Sequence, residues 1–122
     1  MRTLAPLVLL ACPVAFASAA EPNLDGEWKI ERRTFDRESR QICTFSQKAN
    51  VLGGTCNSRS GPVKLTGKVE GQKVNWTVKT ESEGGPVTII YKGAIDSPNT
   101  MSGTVSALEF GVSGEFKAMR SK

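Results

Sequence analysis

Apolar and polar residues alternate with a period of two through most of the chain after residue 25. Trp28 and Ile30 alternate with Lys and Glu, and Val74, Trp76 and Val78 alternate with Lys, Asn and Thr. This period places the apolar side chains on one face of a strand. No window of helical length carries an apolar stripe at positions i, i+3 and i+4. The pattern therefore predicts half-buried β-strands and almost no helix.

Eight alternating runs are separated by short breaks rich in the turn-forming residues Gly, Pro, Asn and Ser. The predicted strands are 26–34, 40–47, 51–57, 62–70, 72–80, 86–95, 99–106 and 111–120. Short connections favour antiparallel neighbours. Eight such strands could bury their apolar faces in an up-and-down barrel or in a two-sheet sandwich. We predict the all-β antiparallel barrel, because closure leaves no exposed strand edge.

Residues 1–20 differ in composition from the rest of the chain. They hold one charge, on Arg2, an apolar stretch at 4–16 and small residues at 17–20. This composition predicts a cleaved signal peptide at 1–20, followed by one barrel domain at 21–122. The apolar stretch is shorter than the roughly 20 residues of a membrane-spanning helix, so we expect no stable membrane span. The mature protein is then periplasmic or secreted.

A lipoprotein signal is the alternative for the same segment. Leu9-Leu10-Ala11 precedes Cys12, which would be acylated after cleavage. The apolar stretch before Cys12 would be very short, and Pro13 would follow the modified residue. We therefore favour a soluble exported protein.

Two cysteines, Cys43 and Cys56, remain after residue 20. If Gln47 pairs with Leu52 across the turn at 48–50, the antiparallel register places Cys43 directly opposite Cys56. Facing positions on adjacent strands have about the Cα separation that a disulfide requires. An exported chain enters an oxidising compartment, where two cysteines form a bridge. We expect a structural disulfide, since a redox-active pair would have the C-x-x-C spacing.

The start and the end of the barrel segment carry a recognisable pattern. Gly26-Glu27-Trp28 gives a Gly-x-Trp at the head of the first strand, and the last strand ends at Arg120. This pattern resembles the lipocalin and avidin-like barrel families, the calycins. The resemblance implies that Trp28 plugs one end of the barrel and that Arg120 lies across its ring. Such a cation–π contact contributes on the order of 1 kcal/mol.

Further resemblances concern the middle of the chain and its overall plan. Residues 43–56 and 67–76 resemble small exported bacterial lipocalin-like proteins of unassigned function. The size, the early disulfide and the Gly-x-Trp also resemble periplasmic inhibitors of secreted metalloproteases. Those inhibitors act through their N-terminal residues. Here only 21–23 precede Leu24, and this segment does not match the inhibitory one.

An eight-stranded barrel is just wide enough to be filled by its own side chains or to hold one small ligand. The predicted inner face holds Trp28, Ile30, Phe45, Leu52, Leu65, Val74, Trp76, Val78, Ile89, Tyr91, Met101 and Phe116, with glycines at 54, 67, 103 and 114. Phe45, Trp76, Tyr91 and Phe116 could line a pocket for a small apolar or aromatic molecule. The alternative is a packed core in which glycine permits strong strand coiling. No charged residue is assigned to the interior, so we expect no strongly ionic ligand there.

The first connection, 32–40, is rich in arginine. Arg32, Arg33, Arg37 and Arg40 stand among two acidic residues and Phe35. These arginines could receive an anionic partner, with Phe35 as a contact. The mixed signs favour the alternative, a long solvated hairpin.

Composition limits the chemistry. Among 122 residues there is no histidine, and 16 Lys and Arg stand against 12 Asp and Glu, a net charge of +4. These counts disfavour a His-dependent hydrolase and a zinc site, although a Ser-Lys pair stays open. Glu81 and Glu83 lie in a predicted exposed turn, where neither pKa need shift. No nucleic-acid-binding motif is present.

We therefore expect a non-catalytic exported barrel, without cofactor, that binds a small apolar ligand. The alternative is a protein-binding module, such as a periplasmic protease inhibitor, whose partner is an envelope or secreted protein. That module would act through the N-terminus or through the arginine-rich first connection.

Overall fold

The computed structural model describes residues 22–34, 37–59, 61–82 and 84–121. The predicted signal peptide, including Cys12, lies outside the described residues, as do Phe35 and Glu83. Within the described ranges, no helix has the length and apolar composition to cross a membrane.

Eight antiparallel strands form one closed barrel. They are β1 (Gly26–Thr34), β2 (Arg37–Lys48), β3 (Val51–Cys56), β4 (Val63–Glu70), β5 (Lys73–Ser82), β6 (Gly85–Ser97), β7 (Thr100–Ala107) and β8 (Val112–Arg120). Each strand pairs with the next along the chain, and β8 returns to pair with β1. One turn of 3₁₀ helix, Leu108–Phe110, connects β7 to β8. The predicted up-and-down barrel is confirmed, and the sandwich alternative is wrong.

The arginine-rich connection forms the end of the β1–β2 hairpin, and Arg33, Arg37 and Arg40 are exposed on it, as expected for a solvated hairpin. Strand β2 begins at Arg37, three residues earlier than the sequence predicted. Arg33 lies opposite Glu38, and Arg32 lies opposite Ser39. The pairing of β1 with β2 extends almost to the turn, because residues of opposite charge that face each other stabilise adjacent strands.

The register of the second hairpin is the predicted one. Gln47 lies opposite Leu52, and Cys43 lies opposite Cys56. The two cysteine sulfurs are joined in a disulfide. The disulfide links β2 to the last residue of β3, six positions beyond the turn that joins the two strands.

The inner face forms a single apolar core. All twelve residues predicted to face inward are buried except Ile89, which is half-buried against the core. Leu24 is also buried, although it precedes the first strand and belongs to no alternating run. Leu24 therefore helps to close the barrel, and the alternating pattern could not predict its burial.

Inward glycines allow close approach of neighbouring strands. A methyl group added at Gly67 would lie 2.8 Å from Cβ of Trp76 and would clash with the carbonyl oxygen of Asn75. One added at Gly93 would lie 3.0 Å from Cζ of Phe116. The space at these glycines is thus used by neighbouring backbone and aromatic side chains.

Consecutive connections lie at opposite ends of the barrel. One end contains the residues before β1, the turns β2–β3, β4–β5 and β6–β7, and the end of β8. We call it the plugged end. The other contains the connections β1–β2, β3–β4, β5–β6 and β7–β8, and we call it the polar end for the side chains described below.

Candidate ligand site at the polar end

Four aromatic side chains predicted to line a pocket meet at the centre of the barrel. Tyr91 stacks on Trp76 with ring centroids 4.6 Å apart, because β5 and β6 place the two residues opposite each other. Phe45 and Phe116 meet Trp76 edge-on, at 5.0 and 5.4 Å. Each of the four is at most 2% exposed. The sequence thus identified residues that lie together, and in this structure they contact one another.

The indole nitrogen of Trp76 has no hydrogen-bond partner among the described residues, although it is fully buried. An unpaired buried donor costs about 1–3 kcal/mol. A protein commonly leaves such a group unpaired where a water or a ligand supplies the acceptor.

The plugged end is built differently, around Trp28. Its indole Nε1 donates to the carbonyl oxygen of Leu24 at 2.9 Å. The amide of Leu24 in turn donates to Oε1 of Gln47 at 2.9 Å. The segment before β1 is thereby held across this end of the barrel, with Leu24 buried beneath it.

Arg120 covers the same tryptophan. Its guanidinium carbon lies 4.7 Å from the centroid of the Trp28 ring, the contact that the calycin resemblance implied. The guanidinium donates to the carbonyl oxygens of Asn23 at 2.8 Å, Asp25 at 2.5 Å and Pro98 at 2.9 Å. Its Nε donates to Oδ1 of Asn99 at 3.1 Å. Arg120 therefore links the end of β8 to the segment before β1 and to the turn between β6 and β7.

Arg32 is the charged residue at the opposite end. It continues the inward phase of Trp28 and Ile30 along β1, and it is half-buried. Its Nε donates to Oγ of Ser39 at 3.1 Å, and its Nη1 donates to the hydroxyl of Tyr91 at 3.2 Å. No charged side chain is buried among the described residues, as expected, but the alternating phase of β1 places the half-buried Arg32 at the end of the interior.

A chain of hydrogen bonds extends from Arg32. The Tyr91 hydroxyl donates to Oε1 of Gln41 at 3.0 Å, and Nε2 of Gln41 donates to the carbonyl oxygen of Asn57 at 2.8 Å. Gln41 is 8% exposed. The buried tyrosine of the aromatic cluster thus connects that cluster to the polar end.

Burial governs the ionisation of Tyr91. Desolvation raises the pKa of its hydroxyl above the ordinary value of 10.0, and the nearby positive charge of Arg32 offsets only part of that effect. Tyr91 is therefore a neutral hydrogen-bonding group in this chain, and Arg32 supplies the charge.

The other predicted arginines are on the outer surface. Arg33 pairs with Glu38 at 2.6 Å, and Arg40 approaches Glu31 at 3.8 Å. Arg37 is exposed at the start of β2. In contrast, no carboxylate of the described residues lies within ion-pair distance of Arg32. The sequence grouped these arginines as one loop. In the structure Arg32 follows the inward phase of β1 and is half-buried, whereas Arg33 and Arg40 are exposed, although all three line one groove.

An outer groove follows β1 between β8 and β2. Its volume is about 490 Å³, and its charged lining residues are Glu31, Arg32, Arg33, Glu38, Arg40, Glu115 and Lys117. Four of these residues are basic and three are acidic. Across the described part of the chain, no cluster of three His, Cys, Asp or Glu side chains could ligate a metal.

Comparisons with known proteins address the fold. No protein-family model matches the chain. No curated protein matches it. Among solved structures it is similar to the redesigned β-barrel b11L5F_LGL, at 17% identity and a TM-score of 0.65, over 81% of this chain and 92% of that one. It is also similar to the redesigned β-barrel mFAP1 bound to DFHBI, at 17% identity and a TM-score of 0.60, over 80% and 94%.

These likenesses show the class of fold. The chain is a closed eight-stranded antiparallel barrel of lipocalin-like architecture.

Proposed function

We propose that this protein is an exported, non-catalytic barrel that binds one small, largely apolar molecule at the polar end of its interior. The observation that carries the proposal is the difference between the ends. Trp28, Leu24 and Arg120 close one of them with a complete set of hydrogen bonds. At the other, a few polar groups stand above an aromatic cluster. A mostly apolar lining with a few placed polar groups is typical of small-molecule sites.

Apolar surface near the polar end supports this location. Val63 and Ile89 pack against the core yet are only partly buried. Leu108 and Phe110, in the connection from β7 to β8, are 57% and 55% exposed. The unpartnered indole nitrogen of Trp76 lies in the aromatic cluster that Tyr91 links to this end. A redesigned barrel of the same fold was solved bound to DFHBI, so a barrel of this kind can accept a small molecule.

Other features support an exported, non-catalytic protein. The disulfide between Cys43 and Cys56 suits an oxidising compartment. The composition of residues 1–20 is that of a signal peptide. The chain has no histidine, and among the described residues the polar network of Arg32, Tyr91 and Gln41 contains no carboxylate that could act as a general base.

Dye titration tests the proposal. We expect the full chain, expressed for export and purified, to raise the emission of the neutral dye Nile red in a saturable manner. Val63→Phe adds volume at the polar end and should weaken dye binding at least tenfold. Val51→Phe makes the same substitution at a position that is 57% exposed, and it should leave binding unchanged.

Thermal melting of each variant establishes that it is folded, since overpacking costs about 1–3 kcal/mol. Native mass spectrometry of the wild-type protein adds a test that needs no variant, because a bound molecule would add to its mass. No dye binding together with no added mass would refute the proposal. Equal weakening by the two substitutions would place the site elsewhere.

A protein-binding module is the second candidate. It is favoured by the mutual packing of the four aromatic rings, which fills the centre of the barrel. The outer groove with its mixed charges would then be the contact surface. Pull-down from an envelope fraction, comparing wild type with Arg33→Glu/Arg37→Glu, tests this candidate. Loss of a specific captured protein in the variant would support it, and an identical capture would contradict it.

A further inference from the structure

We infer that the bound molecule carries an anionic head group, a carboxylate in the simplest case, and that Arg32 receives it at the polar end. This inference rests on the proposed function and adds the chemical class of the ligand. It begins from the one charged side chain that β1 directs into the interior.

The hydrogen bonds of the network that begins at Arg32 run in one direction. Arg32 donates to Ser39 and to Tyr91, Tyr91 donates to Gln41, and Gln41 donates to the backbone at residue 57. A guanidinium has five N–H groups, and the described residues accept from two of them. Arg32 therefore retains donors for a further acceptor.

Charge points to the same class of ligand. Tyr91 stays neutral because its burial raises its pKa, so the network carries the single positive charge of Arg32. A half-buried charge without an opposite charge is costly, and a planar guanidinium matches a carboxylate in a two-pronged contact. Arg33, in contrast, already has a carboxylate partner, since it pairs with Glu38. An incoming anion would supply the opposite charge for Arg32 and accept from its remaining N–H groups.

The surroundings of Arg32 limit the rest of the molecule. Below the polar groups the interior consists of aromatic and aliphatic side chains, among them Tyr91, Phe116 and Val78. A second charge placed there would lose its hydration without gaining a partner. The ligand is thus an amphipathic monoanion with an apolar body.

Two probes of equal shape test the head group. The naphthoate anion and naphthamide share the same ring system and differ in charge. We expect naphthoate to bind the wild-type protein at least tenfold more tightly than naphthamide, because charge-assisted hydrogen bonds are roughly twice as strong as neutral ones. Arg32→Gln should remove that preference. Arg33→Gln, the matched change of an outward-facing arginine, should retain it.

The two tryptophans supply the readout. The chain contains two, and each gives one indole N–H signal in a two-dimensional NMR spectrum of isotope-labelled protein. The Trp76 nitrogen has no partner, whereas the Trp28 nitrogen is bonded to Leu24. Binding at the polar end should shift the Trp76 signal and leave the Trp28 signal in place.

Each outcome of these experiments supports or overturns a stated part of the inference. Equal affinity for the two probes, with Trp76 shifted by both, would overturn the anionic head group and leave the proposed function standing. A naphthoate preference that survives Arg32→Gln would overturn the role of Arg32. No shift of Trp76 with either probe would overturn the inference, and the Nile red titration would then show whether the proposed function fails with it. If Arg32→Gln does not fold, Arg32→Lys keeps the charge and should keep a reduced preference.

Discussion

Arg120 at the plugged end and Arg32 at the polar end have different hydrogen-bond partners. Arg120 donates to three backbone carbonyls and one side chain, and its guanidinium lies on Trp28. Arg32 donates to two hydroxyl groups. Backbone carbonyls are fixed by the fold, whereas hydroxyl groups can turn toward a new partner. The plugged end is therefore held by fixed backbone acceptors, whereas the contacts of Arg32 at the polar end can change without disturbing the backbone.

The two tryptophans repeat the same contrast. Trp28 and Trp76 are both 0% exposed. The Trp28 indole donates to Leu24, while the Trp76 indole donates to no described residue. The two tryptophans are thus equally buried and differ in hydrogen bonding among the described residues.

The largest expected effect comes from the disulfide, whose Cys56 is the last residue of β3 at the polar end. Cys43 and Cys56 are 13 residues apart, and closing a loop of that size stabilises by about 3 kcal/mol. We expect Cys43→Ala/Cys56→Ala to lower the free energy of unfolding by about that amount in urea. Amide hydrogen exchange should accelerate more in β3 and at the start of β4 than at the turn between β6 and β7, which is at the plugged end and borders neither bridged strand. Equal acceleration at both ends would contradict the assignment of stability to the plugged end.

The next effect compares the two arginines under one substitution. Arg120→Met should lower the free energy of unfolding by about 2 kcal/mol, since it removes charge-assisted hydrogen bonds and the ring contact. Arg32→Met should change it by less than about 1 kcal/mol, because the lost bonds are offset by removal of an unpaired, half-buried charge. Urea denaturation of both variants measures the difference. A larger loss of unfolding free energy for Arg32→Met than for Arg120→Met would contradict the contrast drawn between the two ends.

The smallest effect is the alkaline titration of Tyr91. Burial raises its pKa in the folded chain, whereas the unfolded chain ionises near the ordinary value of 10.0. Above that pH the unfolded state holds fewer protons, so stability falls as the pH rises toward the folded-state pKa. Tyr91 is the chain's one tyrosine, so the ultraviolet absorbance of tyrosinate reports on it alone.

Tyr91→Phe is the control for that titration, because it should remove this part of the alkaline loss while the lysines continue to titrate. An ordinary tyrosine titration in the folded protein would show that water reaches the hydroxyl. It would also contradict the neutral role given to Tyr91 in the polar network.

Sequence periodicity predicted the barrel and most of its core, because each inward position on a strand is fixed by its neighbours two residues away. The disulfide followed from the same register. Arg32 was named from the sequence as one of four surface arginines, but its inward direction was missed because a charged residue in an arginine-rich segment suggests solvent. The phase of β1, from Trp28 through Ile30 to Arg32, was the signal that could have located it. Leu24 had no such signal, since its position depends on the capping contacts with Trp28 and Gln47.

Both termini of the described chain leave from the plugged end. The amide of Ser121 donates to the carbonyl oxygen of Glu27 at 2.8 Å, and the segment before β1 is fastened beside it. A tether or fusion partner joined at either terminus would therefore hold the barrel by its closed pole. The protein could be immobilised on a sensor surface through an attachment at residue 22 or residue 121, with Arg32 at the opposite end of the barrel.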